Sequence, residues 1–265
     1  MRIAVGQMEP LLTDVHENLK RMKAILKQAD REQVDVLVLP ELCNSGYVFE
    51  NLEEATSASE HIPNGKFSQE LLAWSGEDRL VVAGLCEQTS QGLHNSAAIF
   101  RQGEHVATYR KIHLFLNEGK WFQAGEEEPP VIEFKSAKFG VMICFDWIFP
   151  EVSRILTLKG AQLILHPANL VLPYCQDAMI TRSIENSIFI ATANRIGTER
   201  EVTFSGNSQI TNPKGSRLAT LTDDEVGIAF ADLNPLDADN KMITKRNHLI
   251  HDRRPELYTR LIKTD

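Results

Sequence analysis

The 265-residue sequence lacks the long apolar segments that carry a chain into or through a membrane. Its first residues, "MRIAVGQMEP", hold one basic residue and reach the polar Gln7 too early for the apolar core of a signal peptide. No later run approaches the roughly 18 apolar residues of a membrane span. We therefore expect a cytoplasmic protein that has no membrane partner.

Metal and cofactor signatures are missing as well. The sequence has only four cysteines, with no CxxC pair, and its eight histidines form no HxH or HExxH pattern. The glycine-rich loops GxGxxG and GxxxxGK[ST], which cradle phosphates, do not occur. We predict no disulfide framework, no metal and no cofactor.

Basic charge is not in excess either: 28 lysines and arginines stand against 36 aspartates and glutamates, a net charge of −8. This balance argues against nucleic acid as a partner. Repeats, low-complexity segments and linkers are also absent, so we predict a single domain over residues 1–265. Residues from about 239 to 265 form a charged tail, which we expect to contact a neighbouring subunit.

Strands and helices alternate in the apolar pattern. "RIAVGQM" predicts a strand, residues 14–29 a helix, and "VDVLVLPE" a strand that is apolar on both faces. A strand of that kind needs cover on both sides, as in layered α/β proteins. The later strands "RLVVAGLCE", "AKFGVMIC" and "AQLILH" extend the same pattern, and residues 116–130 read as a loop.

One thiol has a placement that suits chemistry. Cys144 ends the strand "AKFGVMIC" shortly before a helix that should open near Pro150. Amides at a helix N-terminus stabilise a thiolate and can bind an oxyanion. On this placement alone Cys144 is either a nucleophile or a buried cysteine that fills the core.

Two further charged residues follow predicted strands. Glu41 lies just past the strand in "LVLPELCNSGY", and Lys111 lies at the end of a hairpin strand in "YRKIHLF". Strand ends are where open α/β sheets present their ligands. Taken singly, Glu41 could be a surface carboxylate and Lys111 a solvated lysine. Together with Cys144 they offer a base and a cation to a thiol.

The stretches "PELCNSGY", "YRKIHLF" and "VMICFDWIFPE", in this order, resemble the glutamate, lysine and cysteine motifs of the nitrilase superfamily of carbon–nitrogen hydrolases. The resemblance extends from "GQMEP" to "HPANL" and "RSIENSIFIATANR". It implies an α/β fold, a four-layer α-β-β-α sandwich, and a homodimer or higher homo-oligomer.

The resemblance also implies residue roles. Glu41 would be the general base, Lys111 the electrostatic stabiliser and Cys144 the nucleophile. Glu118 resembles the second glutamate of the family, which positions the lysine or the substrate. The backbone N–H of Phe145 would help to bind the oxyanion; many relatives carry tyrosine at this position.

Several other residues flank these motifs. We expect at most two of the aromatic residues Tyr47, Trp121, Phe122 and Trp147 to line a substrate pocket, and Asn169 is a further candidate. The neighbouring polar residues should hold the backbone of the site: Asp146, Arg182 and Glu185. The remaining cysteines should pack in the core: Cys43, Cys86 and Cys175.

The expected reaction is hydrolysis of a small amide to a carboxylic acid and ammonia through a cysteine thioester. Hydrolysis of short aliphatic nitriles or of N-carbamoyl amines uses the same groups and stays open. Acyl transfer to an amine requires a pocket that excludes water. The alternative of a different class is a binding or regulatory protein without turnover. The sequence does not dictate whether the substrate's tail is acidic, basic or neutral.

Overall fold

The computed structural model describes residues 1–76 and 78–263. Its helices are α1 (Val15–Arg31), α2 (Leu52–Ser57), α3 (Lys66–Ser75), α4 (Pro150–Leu158) and α5 (Cys175–Asn186). Its strands are β1 (Arg2–Gln7), β2 (Val36–Val38), β3 (Leu80–Thr89), β4 (Gly92–Arg101), β5 (Glu104–Arg110), β6 (Val131–Phe134), β7 (Ala137–Val141), β8 (Leu163–Pro167), β9 (Phe189–Ala193), β10 (Thr198–Glu199), β11 (Val202–Thr203), β12 (Gln209–Thr211), β13 (Arg217–Thr220) and β14 (Gly227–Asp232). Within these ranges no helix is both long and apolar enough to cross a membrane.

Twelve of these strands build two six-stranded sheets on the same plan, and β10 pairs with β11 in a separate two-stranded sheet. The first has the order β14-β1-β2-β3-β4-β5 and the second the order β13-β12-β9-β8-β7-β6. In each sheet three central strands run parallel, β1 with β2 and β3, and β7 with β8 and β9. The outer strands are antiparallel. The carboxyl ends of the parallel strands therefore lead into the loops that carry Glu41 and Cys144.

Alternating side chains divide each strand between two layers. In β1, Ile3 and Val5 join the core cluster shared with the second sheet, whereas Ala4 packs on the helical side with Met22 of α1. Helices α1 and α3 cover the first sheet, and α4 and α5 cover the second. The predicted four-layer α-β-β-α sandwich is confirmed.

Helix boundaries follow local signals. The side chain of Asp14 accepts a hydrogen bond from the backbone N–H of Glu17 and so caps α1. Helix α4 opens at Pro150, as predicted, and is followed by Gly160 with φ +91°. The strand predicted to reach Cys144 instead ends at Val141. Cys144 has φ +37°, a conformation that cannot continue a strand.

The tail beyond Asp239 contains two 3₁₀ turns, Pro255–Leu257 and Thr259–Ile262. Lys241 fixes its start, because Nζ donates to the carbonyls of Asn186 and Ser187 at 2.9 Å each. Several apolar side chains further along are exposed: Met242, Ile243, Leu257, Leu261 and Ile262. A subunit contact through this tail and a single domain over residues 1–265 both stay predictions.

Candidate active site

Glu41 lies in the loop that follows β2, where the backbone packs closely against β3. At this contact the N–H of Gly84 in β3 donates to the carbonyl of Pro40 at 3.1 Å. A Cβ at Gly84 would lie 2.3 Å from the Cα of Glu41, so this close approach requires glycine. At this contact the Glu41 side chain is fully buried.

Lys111, directly after β5, joins two carboxylates. Its Nζ donates to Oε1 of Glu41 and to Oε1 of Glu118, each at 2.7 Å. Asn95 of β4 donates from Nδ2 to the same oxygen of Glu41 at 2.7 Å. The second oxygen of Glu118 accepts the backbone N–H of Phe115 at 3.1 Å. Among the described residues, Oε2 of Glu41 is buried and has no hydrogen-bond partner.

Burial and charge set the protonation of this cluster. Burial lowers the pKa of Lys111, but the charges of Glu41 and Glu118 raise it by more, so the group stays an ammonium. Burial, together with the charge of Glu41, raises the pKa of Glu118 in spite of Lys111. The pKa of Tyr47 is raised by burial and then by both carboxylates, so its phenol is neutral.

Cys144 lies on a turn that is fixed by hydrogen bonds to the side chain of Asp146. The carboxylate of Asp146 accepts the backbone N–H of Ile143 at 2.9 Å and the hydroxyl of Tyr109 at 2.9 Å. Its other oxygen lies 2.8 Å from Nδ1 of His113. A positive φ at a residue other than glycine is strained and persists where its surroundings fix it. The contacts of Asp146 agree with the expectation that it holds the backbone.

His166 fixes the other side of the turn. Its Nε2 lies 3.0 Å from the carbonyl oxygen of Cys144, and its Nδ1 lies 3.1 Å from Oγ1 of Thr192. Because a carbonyl only accepts, the proton sits on Nε2 and the Thr192 hydroxyl donates to Nδ1. Burial lowers the pKa of His166 to about 4, so the ring is neutral near pH 7.

This buried histidine predicts acid sensitivity. Its pKa falls from the ordinary 6.5 to about 4 on folding. Between pH 6.5 and about 4 the unfolded chain binds a proton on this histidine that the native state does not bind. The free energy of unfolding therefore falls by about 3 kcal/mol as pH falls through this range. The variant His166→Gln keeps an N–H donor for the Cys144 carbonyl. Its free energy of unfolding, measured with urea, should depend less on pH between 4 and 6.5 than that of the wild-type protein. Identical pH profiles for the two proteins would contradict this assignment.

The Cys144 thiol is protonated near neutral pH. Burial raises its pKa well above the usual range, and the charge of Glu41 adds to this effect. Lys111 and the backbone N–H of Asn169 act in the opposite direction but do not outweigh burial. The thiol therefore needs a base before it can attack. It opens into a narrow cleft lined by Phe115, Phe145, Trp147, Asn169, Leu170, Val171 and Leu172.

The predicted pocket residues do not all lie in one place. Trp147 and Asn169 line the cleft with Cys144. Tyr47 is buried near Glu118, whose charge raises the pKa of its phenol. Trp121 does not line this cleft; it lines a different cleft with Val48 and Phe49.

Phe122 does not line the cleft but packs in a buried apolar cluster. Its ring centroid lies 6.2 Å from that of Phe49, edge to face. On α5, Nη1 of Arg182 lies 2.9 Å from Oε1 of Glu185. Arg182 also donates to the carbonyl of Trp147 at 3.3 Å, and so supports the turn that carries Cys144. The other cysteines are buried and free: Cys43, Cys86 and Cys175.

Sequence reasoning missed two residues of the site, Asn95 and His166. A signal existed for each. Asn95 shares a strand face with the core residues Ala97 and Ile99, so period-two counting places its amide inside the protein. His166 is the second-to-last residue of the apolar strand β8. A polar side chain buried in this way usually has a specific hydrogen-bond partner.

The family model for Carbon-nitrogen hydrolase matches residues 2–240. The chain belongs to the carbon–nitrogen hydrolase family. This hydrolase is 40% identical over 263 residues to a nitrilase of Pyrococcus abyssi, covering 98% of this chain and all of the relative. It is 31% identical to 2-oxoglutaramate amidase of Bacillus subtilis, covering 82% of this chain and 85% of the relative.

A crystal structure of an amidase from Nesterenkonia superposes on this carbon–nitrogen hydrolase with a TM-score of 0.81. The two are 27% identical, and the match covers 98% of this chain and 96% of the amidase chain. The same amidase is described as a member of the nitrilase superfamily. The resemblance seen in the sequence motifs is confirmed, and the protein is an enzyme of the amidase and nitrilase type.

No metal site is evident in residues 1–76 and 78–263 of the hydrolase. There, no three histidine, cysteine, aspartate or glutamate side chains are grouped so that they could hold a metal ion. The expectation of a reaction without metal or cofactor stays a prediction. The cleft offers a substrate the thiol of Cys144, and the charges of Glu41, Lys111 and Glu118 lie close enough to that thiol to shift its pKa.

Proposed function

We propose that this hydrolase cleaves a small amide to a carboxylic acid and ammonia through a thioester on Cys144. The observation that carries the proposal is the state of Glu41. One oxygen is held by Lys111 and Asn95, while the other is buried and has no partner among the described residues. A carboxylate with a free oxygen near a protonated thiol is suited to take up its proton.

In the first step Glu41 accepts the thiol proton and Sγ of Cys144 bonds to the carbonyl carbon of the amide. The carbonyl π electrons move to oxygen, which becomes an oxyanion. An ammonium has three N–H donors, and Lys111 commits two of them to Glu41 and Glu118. The third is available for the oxyanion, together with the backbone N–H of Phe145.

In the second step Glu41 returns its proton to the amide nitrogen. The C–N bond breaks, ammonia leaves and the thioester remains on Cys144. Glu41 then takes a proton from water, the hydroxyl oxygen bonds to the thioester carbon, and the C–S bond breaks. The proton passes back to sulfur, and the products are a carboxylic acid and the free thiol.

Glu118 positions rather than reacts. Both of its oxygens are already committed, one to Lys111 and one to the N–H of Phe115. Lys111 therefore cannot swing away from the oxyanion position without leaving a buried carboxylate unpaired.

Nitriles and N-carbamoyl amines remain the alternative substrates, since thiol attack on either uses the same groups. A similar protein from Pyrococcus abyssi is named a nitrilase. Another, N-carbamoylputrescine amidase of Solanum lycopersicum, is 28% identical over 95% of this chain. We place amides first because the amidase from Nesterenkonia shares the whole fold.

A substrate panel tests the proposal. Purified protein is given butyramide, butyronitrile and N-carbamoyl-propylamine, and both ammonia and carboxylic acid are quantified. We expect butyramide to give equal amounts of the two products. Addition of hydroxylamine should divert part of the acid to hydroxamate, because the amine attacks the same thioester. Turnover of butyronitrile alone would replace the amide proposal by the nitrile one.

A further inference from the structure

Asn169 has a carboxamide with nothing to bind. The side chain is only 2% exposed, yet among the described residues neither Nδ2 nor Oδ1 has a hydrogen-bond partner. Buried polar groups are almost always paired, and one that is not needs an explanation such as a bound molecule. Asn169 therefore points to a ligand that carries both a donor and an acceptor.

The position of Asn169 identifies that ligand's site. The residue follows β8 and lines the cleft that also contains Cys144. Its backbone N–H lowers the pKa of the Cys144 thiol, and the preceding N–H, that of Ala168, donates to the carbonyl of Ala193 at 2.8 Å. The next backbone N–H, that of Leu170, donates to Oδ1 of Asn194 at 2.8 Å. The backbone is thus fixed on both sides, and the free carboxamide stays beside the reacting sulfur.

The walls of the cleft carry no charge. Apart from Cys144 and Asn169, the residues that line it are Phe115, Phe145, Trp147, Leu170, Val171 and Leu172. The charged groups nearby are Glu41, Glu118 and Lys111, two carboxylates against one ammonium. An anionic tail would lose its hydration against apolar walls and would meet no cation on them. A cationic tail would lose its hydration in the same way.

We propose that Asn169 binds the carboxamide of the substrate, and that the substrate is a primary amide with a short, uncharged, apolar tail. This inference rests on the proposed amide hydrolysis and narrows it. Oδ1 of Asn169 accepts an N–H of the substrate amide. Esters and nitriles have no such N–H, so this contact selects amides over both.

The test compares butyramide with methyl butyrate, an ester that has the same tail and carbonyl but no N–H. In Asn169→Leu, kcat/KM for butyramide should fall about 100-fold more than kcat/KM for methyl butyrate, because only the amide loses a hydrogen bond. Asn169→Ser, which keeps a small polar group, serves as the second variant if the leucine variant does not fold. Circular dichroism of each variant checks the fold.

The tail is tested on the wild-type enzyme. Succinamic acid and 4-aminobutyramide carry an anionic and a cationic tail of similar length, and each should be hydrolysed about 100-fold less efficiently than butyramide. Equal efficiency on succinamic acid would overturn the uncharged-tail assignment.

The outcomes separate the two proposals. If the wild-type enzyme releases no ammonia from any of these amides, the proposed function fails. If it hydrolyses butyramide but the Asn169 variants keep the wild-type ratio of amide to ester rates, the role of Asn169 is overturned and amide hydrolysis stands.

Discussion

Cys144→Ala is expected to lose ammonia release by about 10⁴-fold or more, because no other group can form the thioester. The variant should fold normally. Alanine is smaller than cysteine at a buried position, and the turn itself is fixed by groups that the substitution does not touch, the carboxylate of Asp146 and the ring of His166. The measurement is ammonia release beside a thermal unfolding curve.

Cys144→Ser is the matched control. It keeps a nucleophilic atom but replaces the thiol by a hydroxyl, which is far less acidic, so activity should again be very low. Acid quench of the wild-type enzyme during turnover of butyramide, followed by mass spectrometry, should show the butyryl adduct, and Cys144→Ala should not. Retention of activity within about 10-fold in the alanine variant would rule out covalent catalysis through this residue.

Lys111→Met is expected to damage both rate and stability. The rate should fall about 100- to 1000-fold, since the oxyanion loses a charged donor. The free energy of unfolding should fall by about 3–5 kcal/mol, since Glu41 and Glu118 are left buried without their cation. Methionine nearly fills the space of the lysine chain, so a cavity is not the cause. Steady-state kinetics and urea unfolding measure the two effects.

A second substitution separates these effects. Lys111→Met combined with Glu118→Gln removes one of the two unpaired carboxylates, so part of the lost stability should return. Activity should not return, because the oxyanion still lacks the ammonium. If the double variant recovers most of the wild-type rate, Lys111 serves only to neutralise its neighbours.

Much of the site is visible in the sequence because its charged groups follow predicted strands. Glu41 lies three residues after the buried strand β2, Lys111 lies directly after the hairpin strand β5, and a strand end is where a chain can present a charge to a cleft. Glu118 is different: it lies on a turn inside a long loop, and only the resemblance to a family indicates it. Periodicity carries no information about which way such a turn faces. The placement of Trp121 in a different cleft shows the same limit.

Layering is predictable for a related reason. A strand that is apolar on both faces needs cover on both faces, and β2 has that cover. The contacts that hold the turn at Cys144 are not predictable in this way. Asp146 lies two residues after Cys144 in the sequence, and His166 lies 22 residues after it. Tyr109, which contacts Asp146, belongs to the other sheet. Such contacts depend on three-dimensional packing rather than on local pattern.

The two sheets contribute different halves of the site. Glu41 and Lys111 extend from the first sheet, whereas Cys144 and Asn169 extend from the second. Between them lies the apolar layer in which β2 faces β8 and β9. In the proposed mechanism, the thickness of this layer therefore sets how far a proton must travel from the sulfur of Cys144 to the carboxylate of Glu41. The apolar core would then also fix the distance between the nucleophile and its base, because a closely packed interior changes little in thickness.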